Sequence, residues 1–413
     1  MASPADLVIV GAGIVGTALA RELQSRGLRC LLLDSGVPGH GASFGNAGHI
    51  AVEQVTPLAQ PGAWRQAPAL LLGRGVASLR WRDATTVLPW SMAFLRNCGA
   101  RRYATNHLAF RALQANTGAD WRELGATCPA VGALTHFLGH DEIFESAAAR
   151  TDAQAALVAQ RDDGVNWRDL LPGELQALRG LAPRIVAGVR YLDSGYVKTP
   201  LGIVEALYED FCARGGRFVH SLVRAIEPDR GGFVLKTSGA PVHARRVVVA
   251  AGARSACLLA PLGLPVPLIA ERGYHLTFSR HLAGLQRPLV LRERSAVLTP
   301  MSFGFRCTSF VEFGAPGSTP TPSKWTKLTR HLEQSGIYLP SDQPQRWMGE
   351  RPTLPDYLPG IGASQAHPGL FYAIGHQHLG LTLGPTTARV LADLIASNKR
   401  ASFLDALALS RFG

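Results

Sequence analysis

Leu7-Val8-Ile9-Val10-Gly11-Ala12-Gly13-Ile14-Val15-Gly16 decides how this sequence folds, together with the run that carries it on to Asp34. Leu7 to Val10 is a short unbroken apolar run, which reads as a strand buried on both faces in a parallel sheet. From Ile14, apolar residues recur at Ala18 and at Val15, Leu19 and Leu23, which is helical spacing, and Gly27 sits where a helix C-terminal glycine belongs. Leu28 to Leu33 is a second apolar strand, and it ends on Asp34. Gly11 permits the tight turn, Gly13 lets backbone amides approach a pyrophosphate, and Gly16 lets the helix pack against the strand. Ile14 and Val15 open a helix whose N-terminus favours negative phosphate. Asp34, 18 residues past Gly16 and followed by Ser35, is placed to accept from ribose hydroxyls. A lone G-x-G-x-x-G says little. In this order it is a complete βαβ dinucleotide unit.

Working outward, a Gly/Ser/Asn stretch follows at Gly39 to His49, and residues 61–130 read as mainly helical and rich in Trp and Arg. No second G-x-G-x-x-G occurs, and Gly360-Ile361-Gly362 reads as a turn, which argues against a reductase holding both a flavin and a nicotinamide. Thr199 to Cys212 is an amphipathic helix closed by Gly215-Gly216. Strands are expected at Arg217–Val223, Phe233–Thr237 and Val247–Val249, the last running into Ala251-Gly252. After Gly375 the chain enters a helix reaching about Ala396, with Pro385 in its first turn. The nucleotide domain is therefore discontinuous.

The 413 residues suffice for two or three domains, and 46% apolar against 17% charged residues excludes a disordered chain. Lys and Arg number 42 against 30 acids, a formal +12 at pH 7, and only five of the 42 are Lys. Such an excess admits nucleic acid, an anionic membrane surface or small acidic substrates as partners. No basic run, zinc-finger spacing or aromatic RNA motif supports nucleic acid. Arg74, Arg80, Arg82, Arg96, Arg101, Arg102 and Arg111, interleaved with Trp81, Trp90 and Phe94, read as a solvated helical face or as a surface that docks a membrane or electron acceptor. The six cysteines are scattered without C-x-x-C, so neither a disulfide framework nor a metal site is expected, and a reducing cytoplasm fits. No leader is expected before the first strand, and no apolar stretch approaches the roughly 20 residues of a membrane span. Peripheral attachment to the inner face of the membrane is the alternative to a free cytoplasmic protein.

The ordered set formed by the βαβ unit, A-S-F-G-N-A-G at 42–48, V-V-V-A-A-G-A at 247–253, G-E-R-P-T-L-P-D at 349–356 and G-H-Q-H-L-G-L-T at 375–382 resembles the FAD-dependent amine and D-amino-acid oxidoreductases. That family includes D-amino-acid oxidase, glycine oxidase, monomeric sarcosine oxidase and bacterial D-amino-acid dehydrogenase. The 42–48 block is most similar to the dehydrogenases, in particular those of D-proline and cis-4-hydroxy-D-proline. The resemblance implies an α/β (α+β) two-domain fold of the D-amino-acid oxidase and glycine oxidase type. A Rossmann-like FAD-binding domain (1–80, 185–265 and 346–413) would stand against a discontinuous substrate domain on an antiparallel sheet (81–184 and 266–345).

It also implies site roles. Ala42, Ser43, Asn46, Ala47 and Gly48 would line the pyrophosphate and ribityl chain, Val223 the adenine, and Ala251-Gly252 the underside of the cofactor. Gly380-Leu381-Thr382 would bring a helix N-terminus to the flavin N1 and C2 carbonyl. Arg351 would grip a substrate carboxylate, with pairing to an acid such as Asp356 as its bland alternative. His378 would stand where glycine oxidase has a second arginine, Tyr274 would be a pocket aromatic, and Tyr196 a weaker one. His376 is more often structural, and Arg306 either assists anion binding or faces solvent. Gly349, Glu350 and Asn46 stand near the positions of covalent flavin links in relatives, so the FAD is expected to be non-covalent.

The implied activity is oxidation of the C–N bond of a D-amino or cyclic imino acid to the imine, with electrons passed to an acceptor other than oxygen. An oxygen-using glycine or sarcosine-type oxidase and the flavin subunit of a heteromeric electron-transfer dehydrogenase are the alternatives. Homo- and hetero-oligomers both remain open.

Overall fold

The computed structural model describes residues 5–63 and 77–413. The strand Leu7–Val10 lies inside a six-stranded sheet, between Cys30–Asp34 and Val247–Val249 and parallel to both. Arg217–His220 adds outside Cys30–Asp34 and Leu370–Ile374 outside Val247–Val249, again parallel, and Gly360–Ala363 closes that edge antiparallel. Successive side chains on a strand face opposite ways, and the core divides accordingly. Leu7, Ile9 and Leu32 join one cluster with the helices Ile14–Ser25, Pro200–Ala213 and Gly380–Ser397. Val8, Val10, Leu31 and Leu33 join another, under the antiparallel three-stranded sheet formed by Val223–Asp229, Gly232–Thr237 and Val242–Ala244.

A nine-stranded sheet forms the second body, with the long strand Ile269–Phe278 hydrogen-bonded antiparallel to Gly304–Gly314 on one side and Gln345–Thr353 on the other. Every residue of Ile269–Phe278 is buried. One face carries Tyr274, Leu276 and Phe278 into a core that the helix Ser323–Gln334 covers with Leu328 and Leu332. The other face looks toward the nucleotide sheet.

Strand pairing redraws the expected boundaries. Ala187–Tyr191 and Gln345–Thr353 belong to the nine-stranded sheet, although both fall largely in segments expected to be nucleotide-binding. Conversely, the helices Ala100–Gln114, Thr117–Thr127 and Pro129–Leu134 place Phe110, Leu113, Trp121 and Val131 in the same cluster as Leu7. Trp121 Nε1 donates to the Thr382 carbonyl at 2.9 Å and Arg389 pairs with Asp120 at 2.7 Å, so these helices are tied to the C-terminal helix.

Three local expectations are corrected. Gly360-Ile361-Gly362 is not a turn but part of the edge strand. Pro385 lies inside the helix, which begins at Gly380, rather than in its first turn. The single strand expected over Arg217–Val223 is two, because the chain leaves the parallel sheet at His220 and enters the antiparallel one at Val223. None of the six cysteines is disulfide-bonded. Among the described residues no helix is long and apolar enough to cross a membrane.

Candidate active site

Between the two sheets lies a cavity of about 1230 Å³, reaching from Asp34 and Val223 to Arg351 and Phe310. Pockets for drug-sized ligands span roughly 300–1,000 Å³, so this one suits something larger. Its floor is the glycine turn. Gly11 has φ +112°, and a Cβ there would lie 2.3 Å from the Ala250 carbonyl oxygen, while a Cβ on Gly16 would lie 1.9 Å from the carbonyl oxygen of Gly11. Only glycine allows that turn and that approach. Asp34 accepts from the Ala12 amide at 2.7 Å and the Gly36 amide at 2.8 Å, which fixes it at the rim. Ser43 Oγ accepts from the Ile14 amide at 3.0 Å and ties the 42–48 loop to the helix start.

Gly11, Gly13, Ile14, Val15, Asp34, Ser35, Ala42, Ser43, Asn46, Ala47, Val223, Ala251, Gly252, Gly380 and Leu381 all line this cavity. Gly16, Gly48 and Thr382 do not line it. Gly16 acts through helix packing, and Gly48, at φ +74°, turns the loop while its amide donates to Asn46 Oδ1 at 2.8 Å. Thr382 is fully buried, and its hydroxyl accepts from the Ala51 amide at 3.0 Å, so it holds the wall rather than a ligand. Two helix N-termini, at Ile14 and at Gly380, open onto this one space. Each favours negative charge. A cradle with no room for a Cβ, a rim carboxylate and two such termini fit FAD.

Arg306 neither faces solvent nor reaches into the cavity. It is buried, with Nη1 donating to the Asn46 carbonyl at 2.7 Å and Nε to Thr277 Oγ1 at 3.2 Å, and burial pushes the guanidinium down to about 10. It clamps the cofactor loop to the nine-stranded sheet.

At the far end, the register pairs Glu271 with Arg351 across neighbouring strands. Arg351 Nη1 donates to Glu271 Oε1 at 3.1 Å and lies 3.5 Å from the carbonyl of Phe310, a residue held at φ 64°. Thr353 and Tyr357 hydroxyls each donate to Glu271 Oε2 at 3.2 Å, so this fully buried carboxylate is satisfied and fixes the guanidinium plane. Arg351 Nε and Nη2 have no protein partner among the described residues. Asp356 pairs instead with Arg411 at 2.6 Å.

His378 shares a 2.6 Å hydrogen bond with Gln54 Oε1, and burial pushes its imidazole down to about 4, with Glu271 and Arg351 acting on it in opposite directions. His376 meets Thr387 Oγ1 at 2.9 Å and is pushed down to about 3 by burial. Both are neutral at physiological pH.

Tyr274 lines the cavity, as expected, but its hydroxyl turns away from it. Strand alternation sends it to the face opposite Glu271, where its hydroxyl donates to Glu312 at 2.6 Å and accepts from the Thr321 amide at 3.0 Å, beside Arg272. His275, on the cavity face, was not anticipated. Its Nδ1 meets the Gly45 carbonyl at 3.0 Å, and its ring stacks on Trp347 at 4.9 Å. Trp347 in turn occupies the space above Gly45 and Gly349, where a Cβ would lie 2.1 and 2.0 Å from the ring. Parity counted from Glu271 could have found His275, whereas nothing local marks Trp347. Tyr196 does not line the cavity, and its hydroxyl donates to the Gln286 carbonyl at 3.1 Å.

Within the Arg/Trp stretch, Arg82, Arg96, Arg101, Arg102 and Arg111 are exposed. Trp90 is buried and stacks on Phe94 at 5.5 Å, Arg80 lies 3.4 Å from Asp83 and Arg111 3.2 Å from Asp163, while Trp81 is exposed. Arg74 lies outside the described residues.

A family model described as DAO, FAD dependent oxidoreductase, matches residues 6–394. The chain is 31% identical over 403 residues to a D-amino-acid oxidase of Bradyrhizobium diazoefficiens, covering 95% of each chain. It is 28% identical over 431 residues to D-amino acid dehydrogenase 2 of Ralstonia nicotianae, covering 98% of this chain and 100% of that one. The glycine oxidase structure from Geobacillus kaustophilus superposes with TM-score 0.75 at 23% identity over 99% of both chains. L-proline dehydrogenase from P. horikoshii does so at 0.72 and 16% identity, over 100% of this chain and 98% of that one.

Proposed function

The chain belongs to the DAO family of FAD-dependent oxidoreductases, enzymes that oxidise amines and amino acids, and on that premise we propose that it dehydrogenates D-amino or cyclic D-imino acids, with D-proline and cis-4-hydroxy-D-proline foremost. The observation that carries this reading is Arg351, braced by Glu271 on one nitrogen and open to the cavity on the others. A guanidinium so placed suits a planar carboxylate, held by two charge-assisted hydrogen bonds. The D configuration is supported by the names of the relatives, and the cyclic substrate by the 42–48 block.

FAD bound in this cradle supplies the two-electron acceptor for the hydride leaving the substrate Cα. Arg351 fixes the carboxylate and so sets where Cα lies, which is a positioning effect. Glu271 keeps the guanidinium from rotating. The neutral imidazoles of His378, His376 and His275 line this space without adding cations that would repel a protonated amine. The amine gives its proton to solvent water before hydride leaves, since the imidazoles of His378 and His376 that line this space are weak bases, protonated only near pH 4 and 3. The electron acceptor in this reading is not oxygen. The name of the Bradyrhizobium relative favours oxygen as a second reading.

Anaerobic bleaching of the flavin by a panel of D- and L-proline, cis-4-hydroxy-D-proline, D-alanine, glycine and sarcosine tests the reading. Rapid bleaching by the cyclic D-acids is the expected result, and slow reoxidation in air then favours the dehydrogenase over the oxidase. Bound FAD that none of the six reduces overturns it.

A further inference from the structure

Beneath the cofactor loop, at one edge of the cavity that His49 itself lines, three metal-ligating side chains with no role assigned above converge. His49 stands in the short strand His49–Ile50 of the cofactor loop, Glu53 in the turn after it, and His140 opens the strand His140–Phe144 of the nine-stranded sheet. Their ligand atoms all lie within 4.8 Å of one another. His49 Nε2 is 3.7 Å and His140 Nε2 4.0 Å from Glu53 Oε1, too far for hydrogen bonds. Two ligands each about 2.1 Å from a tetrahedral metal are roughly 3.4 Å apart, so a small side-chain adjustment brings these groups to coordinating separation.

The environment is one a polar group does not occupy unpaired. The side chains of His49, Glu53 and His140 are 9%, 7% and 2% exposed. Among the described residues, His49 Nε2 and Glu53 Oε2 are buried with no hydrogen-bond partner. Such atoms are costly unless something satisfies them. His140 Nδ1 meets Ser194 Oγ at 2.8 Å, and its ring stacks on Tyr191 at 4.5 Å. With Nδ1–H donated to Ser194, the Nε2 lone pair is directed to the cluster, the outer-shell arrangement that metal-bound histidines use. Glu142, itself buried, adds acidic character nearby and is partnered by Arg292 at 3.3 Å.

We propose that His49, Glu53 and His140 bind one divalent first-row cation of the Zn²⁺ class, tying the cofactor loop to the nine-stranded sheet. Two imidazoles and one carboxylate suit such an ion rather than Ca²⁺ or Mg²⁺, and three protein ligands leave a position for water. The sequence gives no hint of it, because His140 lies 91 residues beyond His49 and only the fold joins them.

The test uses tag-free, FAD-loaded protein stripped with chelator, incubated with excess Zn²⁺, gel-filtered and assayed for zinc and FAD per chain. About one zinc per chain is expected, with a rise in Tm on zinc addition. Glu53→Gln, near-isosteric, and His140→Asn should each lose the zinc and the Tm rise while keeping their FAD. FAD-loaded wild-type protein that retains no zinc overturns the proposal, as does equal retention by FAD-loaded variants. The readout is metal per flavin, so it stands or falls independently of the substrate.

Discussion

Arg351 lies directly over Gly273: a Cβ on Gly273 would sit 2.2 Å from Arg351 Nη2 and 2.4 Å from its Cζ. The glycine is therefore a vacancy shaped for the guanidinium. Gly273→Ala should push Arg351 out of the plane that Glu271 holds. The expected result is a KM raised about tenfold or more, since a misplaced charge-assisted contact loses roughly 1.5–3 kcal/mol, with FAD content unchanged. An unchanged KM would show that the guanidinium has other room.

Arg351→Lys keeps the charge but loses the fork of donors. Steady-state assays with a dye acceptor should show KM raised by roughly 10- to 100-fold. The limiting rate of flavin reduction should change less than KM, because the substrate that does bind still meets the same cofactor.

Gly16→Ala addresses the other end. Its methyl would fall 1.9 Å from a backbone oxygen of the turn it supports, and backbone yields poorly. Overpacking of this kind costs about 1–3 kcal/mol, which, taken from the cofactor cradle, lowers FAD affinity by roughly 5- to 150-fold. The flavin-to-protein absorbance ratio after gel filtration reads it, and full flavin content would refute the cradle.

Acid should unfold the protein early. Burial lowers His275 and His376 to about 3 and His378 to about 4. In the unfolded chain they titrate near 6.5, so below that pH the unfolded state binds protons that the folded state refuses. Their contribution is complete above pH 6.5 and is lost as pH falls toward 3 to 4. Urea midpoints followed from pH 7.5 to 5 should decline, and His376→Gln should flatten the slope by up to about 1.4 kcal/mol per pH unit.

Much of the nucleotide half was legible because its signals are local. Strand, glycine turn, helix and acid occur within residues 7–34, and each has a period or a backbone requirement of its own. The substrate half was not. Glu271 and Trp347 lie on strands whose partners are set by register, and register is fixed by burial across the sheet rather than by neighbours in sequence. Tyr274 shows the limit well. The right strand was expected and Tyr274 borders the cavity, but parity turns its hydroxyl into the core, toward Glu312. Thr382 shows another, for the resemblance put a helix N-terminus at Gly380, where the helix does begin, while its third residue turns to brace the wall.

The most direct test of the account is the anaerobic rate of flavin reduction by D-proline compared with pyrrolidine, the same ring without its carboxylate. The account predicts saturable bleaching by D-proline, negligible bleaching by pyrrolidine, and a weakened preference for D-proline in Arg351→Lys. Equal rates with the two amines, or a preference untouched by the substitution, would contradict the claim that Arg351 holds the substrate by its carboxylate.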